Sequence, residues 1–333
     1  MNDLNKGTLV VTGGGGLIGS AIVWGLNNLG YRNIWIIDWI EPQSKKEKNL
    51  LPLNYERVIA PEKFREMIAE KSDELHSVSH IFHLGACSST TETNEEYLND
   101  NNLSYTRELC EWSLQHGVRF VYASSASTYG DGSMGMDDQE ENLEKFTPLN
   151  LYGWSKHKFD LLAKERSWLE HIVGLKYFNV YGPNEEHKAD MRSVVSKAYE
   201  QILQTGEMTL FKSHNPDYLD GEQLRDFLFV KDAVLMTIWL AENHHANGLF
   251  NLGSGKARSW LDLGKAIFTA LGKDPAIRFI EMPVMLRDKY QYFTEANIEK
   301  IRSVGYQQNL FSLEEGVGDY VRNYLMKNLR LGQ

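Results

Sequence analysis

The chain has 333 residues, 42% hydrophobic and 24% charged, with a formal net charge of −10. That balance suits a globular protein of one large or two ordinary domains, and its acidity argues against nucleic acid or an anionic membrane as the main partner. Cys87 and Cys110 are too few for a disulfide framework or a cysteine-based zinc site, residues 1–7 hold no apolar signal region, and no apolar stretch reaches spanning length, so the expectation is a soluble cytoplasmic protein.

An apolar run at 9–11 leads into Thr12-Gly13-Gly14-Gly15-Gly16-Leu17-Ile18-Gly19, and an amphipathic stretch at 20–29 follows. That order reads as strand, glycine turn, helix. Gly13, Gly16 and Gly19 have the spacing of a nucleotide-binding turn, where glycines admit a close diphosphate and the helix start offers N–H groups. A second strand at 33–37 ends at Asp38, about where such folds place an acid on the adenosine ribose. Lys45, Lys46 and Lys48 follow in a polar loop, solvated or available to a 2′-phosphate. Asp38 favours NAD and the lysines leave room for NADP.

A short third strand is expected at 55–60, a helix at 62–71 and a fourth strand at 79–84, followed by Gly85-Ala86-Cys87-Ser88-Ser89. Small residues at this edge would let a cofactor lie against backbone. Asp100-Asn101-Asn102 is read as opening a helix that runs towards Ser113, with Asn101 either bracing a loop or touching ligand. A fifth strand falls at 120–123. Short apolar strands alternating with helices argue for a parallel sheet covered on both faces.

Ser124-Ser125-Ala126-Ser127-Thr128-Tyr129-Gly130 follows directly, then a polar excursion at 131–147, then Tyr152-Gly153-Trp154-Ser155-Lys156. Four residues apart on a helix, Tyr152 and Lys156 share a face. An ammonium favours phenolate over phenol, so Tyr152 can exchange a proton with an alcohol or carbonyl oxygen. Lys156 can hold ribose hydroxyls, and Ser125 can hydrogen-bond the reacting oxygen.

With these motifs in order, the chain resembles the extended short-chain dehydrogenase/reductases: TGGGGLIG at 12–19, Asp38, YASSASTYG at 122–130 and YGWSK at 152–156. Within them it is similar to the ADP-L-glycero-D-manno-heptose 6-epimerases, through HLGACSSTTE at 83–92, DNN at 100–102, KYFNVYGPNEEHK at 176–188, RDFLFVKD at 225–232, FNLGSGKARSW at 250–260 and YQYFTEA at 290–296. The resemblance implies a Rossmann-type doubly wound parallel sheet with a smaller mixed α/β substrate domain. It also implies a tightly held NADP, with NAD as the other possibility, an ADP-heptose substrate, and a homo-oligomer. Its proton-transfer pair maps onto Tyr152 and Lys188, its supporting serine onto Ser125 and its cofactor-bracing lysine onto Lys156. The cofactor residues are then Gly13, Gly16, Leu17, Ile18, Gly19, Asp38, Trp39, Lys45, Leu84, Gly85, Ala86, Cys87, Ser88, Asn101, Tyr152, Lys156, Val180 and Lys188. Two acid/base groups suit an epimerising redox reaction, because the sugar must turn between two poses against one fixed hydride face.

The dinucleotide-binding domain is expected mainly at 1–180, completed by segments near 230–255, and the substrate domain mainly at 181–229 and 256–325. A sixth strand is expected at 172–178, with Asn179 at its end. A helix follows at 191–205, a short strand at 210–212, and 250–252 returns to the main sheet. Arg225 is suited to a forked clamp on a diphosphate, or to a pair with Asp226. The substrate set is Ser125, Asn179, Asp190, Lys197, Phe211, Lys212, Ser213, Arg225 and Tyr290. Four features depart from the family: Asp190 stands in a serine position, Lys197 in a histidine position, 212–224 is longer than expected, and the cofactor loop differs around Lys45 and Pro61. His80 with His83, and His244 with His245, lack a third ligand at motif spacing, so no metal is expected. Another nucleotide-sugar epimerase or dehydratase, or a non-catalytic nucleotide-sugar-binding protein, are the alternative readings.

Overall fold

In a computed structural model, which describes residues 3–287 and 290–333, the strands are β1 (Thr8–Thr12), β2 (Ile34–Ile37), β3 (Arg57–Ile59), β4 (Val78–His83), β5 (Arg119–Ser125), β6 (Val173–Tyr177), β7 (Asn179–Tyr181), β8 (Met208–Phe211), β9 (Leu224–Phe229), β10 (Gly248–Leu252), β11 (Ala257–Ser259) and β12 (Ile277–Ile280). The α-helices are α1 (Leu17–Asn28), α2 (Lys45–Leu50), α3 (Pro61–Ala69), α4 (Glu95–Leu98), α5 (Tyr105–His116), α6 (Leu151–Glu165), α7 (Val194–Thr205), α8 (Val230–Glu242), α9 (Trp260–Leu271), α10 (Val284–Arg287), α11 (Glu299–Ser303) and α12 (Leu313–Asp319).

A seven-stranded sheet runs β10-β6-β5-β4-β1-β2-β3, with every neighbouring pair parallel. The strand order reverses between β1 and β4. Chain leaves these two strands in opposite directions, so a crevice opens at their carboxyl ends. A three-stranded sheet, β11-β9-β7, and a two-stranded one, β12-β8, lie beside it. This is a Rossmann-like doubly wound fold with a smaller set of mixed elements.

Alternation along the strands feeds two cores. Val11, Ile34, Ile36 and Phe82 face one side, with Leu26 of α1 and Val234 and Ile238 of α8. Val10, Trp35, Ile37 and Ile81 face the other, with Phe64, Leu109 and Phe159 from α3, α5 and α6. Gly25 sets how closely α1 meets α8, since a Cβ there would collide with Val234.

Three local expectations change. The lysine segment is not a loop: the Ser44 hydroxyl accepts the Glu47 amide at 3.1 Å and starts α2. Asp100-Asn101-Asn102 does not open a helix either. Asn94 caps α4 by accepting the Tyr97 amide at 3.0 Å, and residues 99–104 form a π segment leading into α5. The cap-like triplet is therefore mid-helix, where its side chains are free for tertiary bonds. Finally, α7 starts at Val194 behind the Ser193 cap, after a 3₁₀ turn at Glu186–Met191 that is broken at Ala189.

One charged cluster crosses the second core. Lys176 on β6 and Asp160 on α6 are both fully buried and 2.8 Å apart. Asp160 also accepts Tyr122 Oη at 2.8 Å and Ser124 Oγ at 2.7 Å, while Lys176 donates to Thr128 Oγ1 at 2.6 Å. Removing one charge leaves the other desolvated and unpaired. Lys176→Met is expected to cost about 3–5 kcal/mol in urea unfolding, with Lys176→Met/Asp160→Leu less destabilised than the single variant.

Candidate active site

The crevice at the switch point is a cleft of about 770 Å³. Its floor is the glycine turn. Gly13 has φ of +65°, a Cβ there would stand 2.9 Å from the Gly85 backbone, and a Cβ on Gly19 would collide with the Gly13 carbonyl. Gly16, Leu17 and Ile18 line the same floor. Asp38 is buried and its carboxylate organises the turn: Oδ2 accepts the Gly15 amide at 3.0 Å, and Oδ1 accepts the Trp39 amide at 2.8 Å and Lys46 Nζ at 2.7 Å. Lys46 and Trp39 line the cleft. Lys45 does not; one residue earlier on α2, it faces solvent. The helix that replaced the expected loop makes that choice, since successive residues differ by about 100° in direction.

The opposite wall is Leu84, Gly85, Ala86, Cys87 and Ser88, with Asn101 nearby. A buried hydrogen-bond chain ties this wall to the turn and to the helix carrying Tyr152. The Gly85 amide donates to Thr12 Oγ1 at 2.8 Å, and Thr12 Oγ1 lies 2.8 Å from His83 Nδ1. His83 Nε2 lies 2.9 Å from Thr106 Oγ1, which donates to the Asn102 carbonyl at 2.6 Å. With the Thr106 proton used on a carbonyl, His83 Nε2 is the donor to Thr106, and Nδ1 accepts from Thr12. Burial, with Lys156 adding repulsion, pushes the imidazole well below its usual range and keeps it neutral. The Asn102 side chain brackets Cys87 by bonds of 2.8 and 2.9 Å and donates to Ser155 Oγ at 2.9 Å, which donates to the Tyr152 carbonyl at 2.7 Å. The bracing residue is thus Asn102, with Asn101 beside it on the cleft.

Ser125 ends β5, and Tyr152 and Lys156 project from α6 into the same cleft. Asn150 sets the helix start by accepting the Gly153 amide at 2.8 Å. Ser125 Oγ accepts the Ser127 amide at 3.1 Å, leaving its proton to donate. Burial pushes the Tyr152 phenol up, with the Ser125 hydroxyl opposing. Desolvation outweighs that hydroxyl, so the net shift runs against the phenolate expected beside Lys156. Burial in turn lowers the Lys156 ammonium to about 8, against the pull of Asp160.

Lys188 reaches the cleft from the 3₁₀ turn, and Asn179, Val180, His187 and Arg192 line it too. Burial lowers its ammonium, opposed by Glu185. The turn is anchored: Glu185 accepts the Ser193 amide at 2.5 Å, Ser193 Oγ at 2.6 Å and Tyr320 Oη at 2.9 Å. Asn49 ties it to the glycine turn, donating to the carbonyls of Gly15 and Asn184 at 3.0 and 2.9 Å. Asn49, Glu185 and His187 were not singled out from sequence. His187 sits in the NEEHK segment, and nothing local marks the other two.

The remaining sugar-side residues lie outside the lining of this cleft. Lys197 is exposed and donates to the Asp190 carbonyl at 3.2 Å. Lys212 pairs with Glu281 at 2.8 Å, Ser213 Oγ donates to the Asn215 carbonyl at 2.8 Å, and Phe211 ends β8. Arg225 is buried, donates to the carbonyls of Leu224 and Gln291, and packs against the rings of Tyr290 and Trp260 at 5.1 and 5.8 Å. It does not pair with Asp226, which accepts the amides of Ser254, Gly255 and Ala296. Trp260 donates to Tyr290 Oη at 2.9 Å and does line the cleft, so Arg225 and Tyr290 stand behind it. Among the described residues no group of three or more His, Cys, Asp or Glu could hold a metal ion, and no helix is long and apolar enough to cross a membrane.

A glycine cradle that any side chain would fill, beside a Ser-Tyr-Lys set, fits a dinucleotide-dependent enzyme acting at a carbon–oxygen centre. Residues 9–253 match the NAD dependent epimerase/dehydratase family, and the chain belongs to that family. It is 49% identical over 316 residues to the ADP-L-glycero-D-manno-heptose-6-epimerase of Nitratidesulfovibrio vulgaris, covering 95% of this chain and 97% of that one. It is 44% identical to the enzyme of that name from Fusobacterium nucleatum, covering 96% and 98%. The crystal structure of the Helicobacter pylori ADP-L-glycero-D-manno-heptose-6-epimerase superposes with a TM-score of 0.80 at 29% identity, covering 96% of each chain.

The turn geometry is testable without substrate. Gly19→Ala places a methyl group against the Gly13 carbonyl, so the purified variant should lose its bound dinucleotide, read from the 260/280 nm absorbance ratio, while its far-UV circular dichroism stays that of the wild type.

Proposed function

We propose that the chain interconverts the C6 epimers ADP-D-glycero-D-manno-heptose and ADP-L-glycero-D-manno-heptose, with a dinucleotide that stays bound throughout. The carrying observation is that Tyr152 with Ser125 and Lys156, and Lys188 from a separate turn, reach one cleft above the glycine cradle. Gly13, Gly16, Gly19, Asp38 and the 84–88 wall would hold the dinucleotide, and Lys156 its nicotinamide ribose. A dinucleotide held there would supply a hydride acceptor for C6 and return that hydride to it.

The residues manage the proton. In one pose the Lys188 amine accepts the C6 hydroxyl proton as the carbon is oxidised to a ketone. The ketone then turns, its oxygen meets Ser125 and Tyr152, and the Tyr152 phenol donates the proton that restores the alcohol with inverted configuration, after which the two groups return to their starting protonation states through exchange with solvent. The reverse reaction exchanges the two roles. Burial moves Lys188 towards the free amine that accepting this proton requires. Arg225 and Tyr290 would shape the adenosine-diphosphate side through Trp260, which they back and which lines the cleft, with Lys212 and Ser213 further out on the same side. Elimination chemistry is disfavoured because Thr128, in the stretch after Ser125, is committed to the Ser125 carbonyl and Lys176.

NADP is the favoured cofactor on this reading. Lys46 lines the cleft next to an Asp38 already engaged by three donors, which suits a 2′-phosphate. Cytoplasmic location and a homo-oligomer complete the proposal.

Incubating purified protein with either epimer, no cofactor added, and following C6 by NMR tests the reaction; a fully loaded enzyme that leaves both epimers unchanged overturns it. Tyr152→Phe and Lys188→Met should each lower kcat by about 10²–10⁴-fold with dinucleotide retained. Wild-type turnover by Lys188→Met would reject a two-group mechanism. Lys46→Ala should weaken NADP binding by about tenfold or more relative to NAD, one charged hydrogen bond being worth about 1.5–3 kcal/mol; an unchanged ratio in equilibrium titration would remove Lys46 from cofactor selection.

A further inference from the structure

His187 is the residue next to Lys188, and its ring reaches the cofactor floor rather than the sugar side. A Cβ built on Gly16 would stand 3.7 Å from His187 Nε2. The ring is held from its other nitrogen. Nδ1 lies 3.2 Å from the Asn184 carbonyl, which can only accept, so Nδ1 carries the proton. Asn184 is itself locked to the glycine turn: its carbonyl accepts Asn49 Nδ2, which also bonds the Gly15 carbonyl, and its side chain donates to Ser20 Oγ of α1 at 3.0 Å. Ring and turn therefore move as one body.

This arrangement has a chemical consequence. A neutral imidazole with its proton on Nδ1 presents a bare lone pair at Nε2. Facing a phosphate oxygen, that lone pair repels; protonated, it becomes a charge-assisted donor. Without ligand the ring is kept neutral, its pKa pushed down to about 4 by burial, then by the charges of Lys188 and Lys46. The nearby acids are committed elsewhere: Asp38 to Lys46, Glu185 to Ser193 and Tyr320, Glu186 to Arg330. Arg192, also on the cleft, pairs with Glu200.

We propose that His187 is a cofactor-binding residue that takes a proton from solvent at Nε2 when the dinucleotide enters, donates it as a hydrogen bond to the diphosphate, and releases it when the dinucleotide leaves. This rests on the cleft being the dinucleotide site. The diphosphate is a dianion across the range where imidazole titrates, so it supplies the charge the apo cleft lacks. Binding is thus coupled to uptake of a proton. Because the bound form holds the ring's pKa above that of the free form, affinity is greatest at low pH and declines as pH rises through the bound-state value.

The test uses the full chain stripped of cofactor and reloaded with NAD. NAD is preferred because the 2′-phosphate of NADP titrates near pH 6 and would add its own slope (about 6). In ¹³C-histidine-labelled protein, the His187 resonance should titrate about three pH units higher in the loaded form. The NAD dissociation constant should rise about tenfold between pH 6 and 8 in the wild type, and stay flat in His187→Gln, which retains a neutral donor. Identical His187 titrations with and without NAD, or a wild-type pH slope surviving in His187→Gln, overturn the proposal. The labelled wild-type titration stands even where the variant folds poorly. Failure of the wild type to bind either dinucleotide overturns the cofactor assignment of the cleft, and this inference with it.

Discussion

The Asp38 carboxylate, buried at the end of β2, receives the amides of Gly15 and Trp39 and the ammonium of Lys46. A carboxylate can be buried only if its lone pairs are filled. Satisfying this one fixes the glycine turn, the start of the following segment and the orientation of α2 together. Through α2 it also places Asn49, which joins the turn to the segment carrying His187 and Lys188. The glycine turn and the segment carrying Lys188 therefore share one frame, although they are far apart in sequence.

The other half of the site is fixed by hydrogen-bond direction. From the Gly85 amide through Thr12, His83 and Thr106 to Asn102, each hydroxyl both gives and receives, and the imidazole accepts at Nδ1 and donates at Nε2. Such a chain works only with a neutral imidazole in one tautomer, which its burial supplies. It ends on Ser155 and the Tyr152 carbonyl. The distance between the 84–88 wall and the phenol is thus set by buried polar geometry. A site proposed to transfer hydride would need that precision, since misplacement by about 1 Å can cost two orders of magnitude in rate.

Much of this was legible in the sequence. Glycine spacing, an acid at the end of the second strand and a Tyr/Lys pair one helical turn apart are local patterns, and local patterns survive in one dimension. The parallel sheet and the return of 250–252 to it were readable for the same reason. What was not legible depends on partners far along the chain. Lys46 instead of Lys45 follows from a helix that Ser44 starts. Asn102 braces the wall because α4 begins at Asn94 and turns the triplet inward. Arg225 looked free to clamp a diphosphate or pair with its neighbour, and instead it donates to two carbonyls and lies against Trp260 and Tyr290. Nothing in the local sequence of Glu185 announces Tyr320 as its partner.

The position of β10 at the end of the sheet also bears on how the chain comes to be folded. As the polypeptide is synthesised, β6 has a neighbour in β5, but its other edge stays bare until residues 248–252 emerge. Val173-Gly174-Leu175-Lys176-Tyr177 is a short apolar strand of the kind that recruits foreign strands. Lys176 interrupts it with a charge, and that charge has Asp160 as its partner on a helix already made. The same ammonium that crosses the mature core would thus discourage edge-to-edge association of nascent chains during the interval before β10 arrives.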